Sequence, residues 1–200
     1  MTKYYIEILI FISLFFSQYK SQDVCECKSG AKQSAEVSYR FNAKHEKYFS
    51  GYVEHPGVIT SETVRSWEMK YANVMESKVA FNTIRVKGTP EDSIYTLTAY
   101  IYRAKINPHD CDLHLEIGTN DPQVMRSVAE ITKENCALQE EILKQLSAKG
   151  FVVDVQNANG VKCTIKGLGF YDGKHPLKEK KKLEKGSSWE IHPVISIQIE

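Results

Sequence analysis

Two hundred residues give room for one domain with its own core plus an extra segment. With 26 Lys and Arg against 25 Asp and Glu, the formal net charge is +1. That balance excludes a globally basic nucleic-acid binder and leaves any electrostatic partner to a local patch. The 5 cysteines are an odd number, so at least one has no partner within the chain.

The opening stretch, "MTKYYIEILIFISLFFSQYKSQ", places Lys3 ahead of an apolar run from Ile8 to Phe16. That run is too short for a membrane span and suits the apolar part of a signal peptide, predicted over residues 1–22. The mature chain is then secreted or periplasmic, without a transmembrane anchor, and its cysteines meet oxidising conditions. Cys25 and Cys27 form a Cys-Glu-Cys pair, but no second pair at finger-like spacing accompanies it to build a structural zinc site.

Residues 23–78 read as an N-terminal arm, partly irregular. "YRFNAKHEKYFSGYVEHPG" mixes aromatics, two histidines and a Pro-Gly turn without a sustained period. "SETVRSWEMKYANVMES" reads as one helix, with Ser61 as N-cap and Val64, Trp67, Met69 and Tyr71 giving it an apolar side. The arm is expected to act as a linker or as a partner-binding extension.

From Val79 the pattern turns to strands: "VAFNTIRVKGT", "SIYTLTAYIYRAKI", "CDLHLEIG" and "VMRSVAEIT", each bounded by Pro, Gly, Asn or Asp. Leu138, Ile142, Leu143 and Leu146 then repeat on one helical face, with Asn135 placed to cap the helix and Gly150 to end it. "VKCTIKGLGFYD" and "SSWEIHPVISIQI" follow as strands, separated by the lysine-rich "GKHPLKEKKKLEKG". This order predicts a mainly β chain: an OB-like five-stranded barrel over residues 79–200, with one helix between strands three and four, preceded by the irregular arm. In that closure the third strand lies beside the fifth, which would make "CDLHLEI" a neighbour of "WEIHPVI".

Side chains alternate along a strand, so Leu113, Leu115 and Ile117 face one way and Asp112, His114 and Glu116 the other. Likewise Trp189 and Ile191 oppose Glu190 and His192. Unpaired charge is costly inside a barrel, so both polar sets should meet on the outer face. Asp112, His114, Glu116, Glu190 and His192 are therefore the expected polar floor of a ligand site, with Lys180, Lys181 and Lys182 as a cationic lip favouring an anionic ligand. The same groups suit a divalent metal held by His114, His192 and Glu190. The plainer reading is Glu–His pairing across strands that steadies the sheet. A hairpin about "TNDPQ" would also bring Cys136 back towards Cys111, predicting a disulfide between them.

"SIYTLTAYIYRAKINPHDCDLHLEI", "VAEITKENC", "IKGLGFYDGKH" and "WEIHPVISI" together resemble a family of exported bacterial proteins without a settled function. The likeness covers about Ser93 to Glu200 and matches at Asp110, Asp112, His114, Glu130, Cys136, Gly167, Gly169, Asp172, His175, Glu190, His192 and Pro193. It departs in "EITKENC", which lacks the family's prolines, and in a Lys-rich loop where the family is Gly-rich. The resemblance implies a secreted OB-like domain and no particular activity. A fainter likeness to thermonuclease-like barrels lacks the paired arginines and acidic triad, so no nuclease activity is implied.

Three functions fit these readings. The first is a secreted OB-like module for an extracellular anionic ligand, either nucleic acid or an acidic glycan. The second is a divalent-metal-dependent hydrolase or phosphodiesterase, in which the ion activates water. The third is an envelope assembly or interaction protein that uses the aromatic arm.

Overall fold

The computed structural model of the chain describes residues 40–78, 84–124, 126–173 and 187–200. Among the described residues six strands are present: β1 (Val53–Thr60), β2 (Ser93–Ile106), β3 (Leu113–Gly118), β4 (Ser127–Ile131), β5 (Val161–Tyr171) and β6 (Trp189–Ile199). Three α-helices accompany them among these residues: α1 (Phe41–Lys44), α2 (Ser61–Lys78) and α3 (Cys136–Ala148).

The strand order is β1-β2-β3-β4-β6-β5, and β5 pairs back onto β2. Five strands, β2 to β6, therefore close into a barrel. The β4–β6 pair is parallel and the other four barrel pairs are antiparallel. With α3 between the third and fourth barrel strands, the closure is OB-like, as the sequence predicts. β1 adds a sixth strand, parallel to β2.

The strands form because their apolar residues recur at every second position. Leu97, Ala99 and Ile101 of β2 join Leu113, Leu115 and Ile117 of β3, Ala129 and Ile131 of β4, and Ile165 of β5 in one buried core. Fully burying a single Leu or Ile there stabilises by about 1.5–3 kcal/mol. Helix α3 adds Ile142 and Leu146 to that core. Gly150 ends the helix as expected: it takes a φ of 76° and donates its backbone N–H to the Ser147 carbonyl at 2.9 Å.

Two expectations change. "VAFNTIRVKGT" does not supply the first barrel strand: residues 84–89 are irregular, and residues 79–83 lie outside those described. Gly88 (φ 74°) and Pro90 break the run, and Arg85 turns its guanidinium onto three backbone carbonyls, those of Gly169 (2.6 Å), Ala43 (2.6 Å) and His192 (3.1 Å). The first barrel strand is β2. "LHLEIG" is consequently the second, and "SVAEI" of β4 is the third strand that borders β6.

The arm also does more than link. β1 joins the sheet, and α2 buries Val64, Trp67 and Met75, with Tyr71 packed alongside, so one helical stripe faces the barrel. Met69, expected on that side, is 91% exposed, because two residues beyond Trp67 is about 200° around a helix. Trp67 lies 4.8 Å from Tyr95 and 5.6 Å from Trp189, ring centre to ring centre. This aromatic contact seats α2 on the barrel. Among the described residues, no helix is long and apolar enough to cross a membrane.

Candidate functional site: a buried acid–histidine cluster

The tight turn before β3 sets the first group in place. Asn107 accepts the His109 N–H on its side chain (3.0 Å) and the Cys111 N–H on its backbone carbonyl (2.8 Å), while its own N–H reaches the Asp112 carbonyl (2.9 Å). Cys111 adopts a φ of 66° to complete the turn. Asp112 emerges with Oδ1 accepting the Lys133 N–H at 2.9 Å, and its other oxygen points into the cluster.

Glu130 is the hub. His114 and Glu130 are direct cross-strand partners, and Nδ1 of His114 lies 2.7 Å from Glu130 Oε1. On the other flank, the short β4–β6 ladder ends at Ala129 opposite Ile191. One position further along each strand, Glu130 Oε2 lies 2.9 Å from His192 Nδ1. Glu190 Oε1 approaches the same nitrogen at 3.2 Å. His192 Nε2 faces Asp112 Oδ2 at 3.6 Å, beyond hydrogen-bond length. Those last two atoms are buried and have no hydrogen-bond partner among the described residues.

The alternation argument places these groups correctly on the outside of the barrel, but the outside is covered here. Asp112 and His192 are 0% exposed. The cover is the chain from Arg40 onward. Arg40 donates to both oxygens of Glu91 (2.6 and 2.7 Å) and to the Tyr171 carbonyl (2.8 Å). Lys44 Nζ lies 3.5 Å from Asp172 Oδ2, and His45 Nδ1 lies 2.8 Å from Glu134 Oε2. Arg85 binds the Ala43 carbonyl. Phe170 is sandwiched: His192 stands 5.5 Å from its ring, while Arg40 and Lys44 lie 4.7 and 5.4 Å from its centre.

Burial and mutual charge set the protonation states. Desolvation pushes the Asp112 carboxyl up to about 7. Burial pulls the His192 imidazole down, but Glu130 and Glu190 outweigh it and raise the group to about 10. Burial pushes Glu130 up, yet His192 and His114 hold it well below the ordinary carboxylate range. Glu190, desolvated and facing the Glu130 charge, is raised. Lys44 is raised too: desolvation opposes its charge, but Glu190, Asp172, Glu130 and Asp110 overcome that penalty. The sheet-steadying reading holds for His114–Glu130, a true cross-strand pair.

Of the expected floor, Asp112, Glu190 and His192 are together and His114 joins through Glu130. Glu116 stands apart, bound to Arg103 (3.2 Å) and Arg126 (3.4 Å). Lys180, Lys181 and Lys182 lie outside the described residues. Tyr95 and Tyr171 are core residues. Cys111 and Cys136 are each disulfide-bonded, and Cys163 is a free, buried thiol.

Asp112, Glu130 and His192 each offer one ligand atom to a metal, and the three atoms lie within 4.8 Å of one another. The expected trio of His114, His192 and Glu190 is not this one. The ring nitrogen of His114 nearest the cluster is already bonded to Glu130, whereas Asp112 and His192 present unpartnered atoms. Glu130 was visible beforehand only through the family pattern, and Lys44 not at all.

Compared with known proteins, the chain matches no family model, no curated protein and no solved structure.

Proposed function

We propose that this chain is an exported OB-like module that binds a divalent transition-metal cation between Asp112 and His192, with Glu130 held behind the histidine. One observation carries the reading. Asp112 Oδ2 and His192 Nε2 are buried, unpartnered and 3.6 Å apart, which leaves two strong ligand atoms facing each other. Donors about 2.1 Å from a tetrahedral ion stand about 3.4 Å from one another, so the pair needs little movement to share an ion. The donor pair, one imidazole nitrogen and one carboxylate oxygen, favours zinc or manganese over calcium. Glu130 holds Nδ1 of His192 and so aims Nε2 at Asp112, the role a carboxylate plays behind a ligating histidine. An ion would draw the protons from Nε2 and from Asp112, relieving both the imidazolium and the desolvated acid.

The other functions are supported less well. Hydrolysis needs an open coordination position and a route for substrate, and Asp112 and His192 are fully covered. An anionic ligand would face Asp112, Glu130, Glu190 and Asp172 across this floor, so that proposal rests on the Lys-rich loop alone. The assembly proposal loses its handle, because the aromatic arm from Arg40 to Tyr52 is tied to the barrel itself.

The test is a thermal-shift and calorimetric series on the purified chain with zinc, manganese, magnesium and calcium. At 100 times Kd, an ion that binds only the native state stabilises it by about 2.7 kcal/mol. That corresponds to roughly 5–10 °C for a chain of this size. Zinc or manganese should give that shift, and His192→Ala or Asp112→Ala should abolish it. A flat response to all four ions, or an unchanged response in both variants, refutes the proposal.

A further inference from the structure

We infer that Lys44 is the built-in cation of this centre and sets its affinity for an external one. The inference rests on the metal-binding reading above and adds how the site is regulated. Five acids surround or adjoin the cluster: Asp110, Asp112, Glu130, Glu190 and Asp172. The charges of Glu190, Asp172, Glu130 and Asp110 act on Lys44, and those of Asp110 and Glu130 also act on Asp112. The structure answers them with His114, His192 and one lysine reaching in from the arm. That lysine is not a surface residue leaning on a neighbour. Its side chain is only 14% exposed, its ammonium lies 3.5 Å from Asp172 Oδ2, and it sits over the Phe170 ring, which His192 also approaches.

The segment that carries Lys44 is pinned on both sides of it. Arg40 binds Glu91 and the Tyr171 carbonyl, Arg85 holds the Ala43 carbonyl, and His45 meets Glu134. None of these anchors touches Asp112 Oδ2 or His192 Nε2. The ammonium therefore neutralises the acids without using the two ligand atoms, and it can lower affinity for a dication without blocking the coordination positions. A positive charge held beside a partly desolvated dication site repels the incoming ion, and the repulsion is large because little solvent lies between them. The arm is thus a counterweight: where it is docked with its lysine charged, only a tightly held ion competes.

The experiment compares the full chain with Lys44→Gln and Lys44→Arg by calorimetric titration with zinc and with manganese. Removing the charge should tighten binding by about tenfold or more, while Lys44→Arg, which keeps the charge, should bind like the parent. Equal affinity in the parent and Lys44→Gln, or weaker binding in Lys44→Gln with Lys44→Arg intact, overturns the role of Lys44 and leaves the metal site standing. Absence of binding in all three proteins removes the metal reading itself. Circular dichroism melts of the free proteins keep the comparison sound: if Lys44→Gln is unfolded, the affinity of Lys44→Arg against that of Lys44→Met decides, with the same expected directions.

Discussion

The cover over the cluster hangs on the Arg40–Glu91 pair, and its contribution can be measured. Both side chains are 0% exposed. Glu91 accepts two guanidinium hydrogen bonds at 2.6 and 2.7 Å, and also the backbone N–H groups of Val86 (3.0 Å) and Tyr171 (2.9 Å). Replacing Glu91 with Gln strands a buried guanidinium; replacing Arg40 with Met strands a buried carboxylate. Each single change should cost about 3–5 kcal/mol, the usual loss when one partner of a buried pair is removed. For a chain of this size that lowers the melting temperature by roughly 6–20 °C. The double variant should cost less than the sum of the singles by about 1–3 kcal/mol, because the stranded charge is gone from both sides. Urea titration followed by the fluorescence of Trp67 and Trp189, both buried, reads all four proteins. Single-variant losses below about 1 kcal/mol, or strict additivity in the double variant, would show that the arm does not dock through this pair.

Two further outcomes follow from packing. Gly169→Ala would drive a new Cβ to within 2.9 Å of the Pro90 carbonyl carbon, so it should destabilise by about 1–3 kcal/mol in the same titration; a neutral result would mean that residues 90–92 do not pack against β5. Burial pushes the Cys163 thiol up to about 12, so iodoacetamide at pH 8 should label it only after denaturation, and rapid labelling of the native protein would contradict its place in the core. Non-reducing peptide mapping of the same sample should recover Cys111 and Cys136 oxidised; one linked peptide holding both supports their expected pairing, and linkage of either to Cys25 or Cys27 overturns it.

The barrel was legible because its signals are local. Alternation in "SIYTLTAYIYRAKI" and the 3.6-residue repeat of Leu138, Ile142 and Leu146 both survive into the structure as β2 and α3. The run around Arg85 misled because its apolar residues alternate, while Gly88, Pro90 and a guanidinium aimed at three carbonyls act against a strand. β1 was hidden for the opposite reason: Pro56 and Gly57 interrupt it, and its residues are mostly exposed, so the barrel edge rather than its own pattern makes it a strand. In the cluster, alternation gave the side of the sheet for Asp112 and His192. Which acid stands between the two histidines depends on barrel register, and a lone Glu in "SVAEI" carries no trace of that. Nor does anything in "RFNAKHEK" say that its first charged residue ends 51 positions away on Glu91.

Along the seam where the barrel closes, β4 and β6 share only two paired positions, Val128 with Glu190 and Ala129 with Ile191. Where the backbone ladder stops, Glu130 and His192 take over as side-chain rivets. His192, one of the two groups that would hold an ion, is thus also half of the clasp of the cylinder. A chemist who alters it to silence binding will slacken the closure as well, and an ion seated between it and Asp112 would tie the start of β3 to β6.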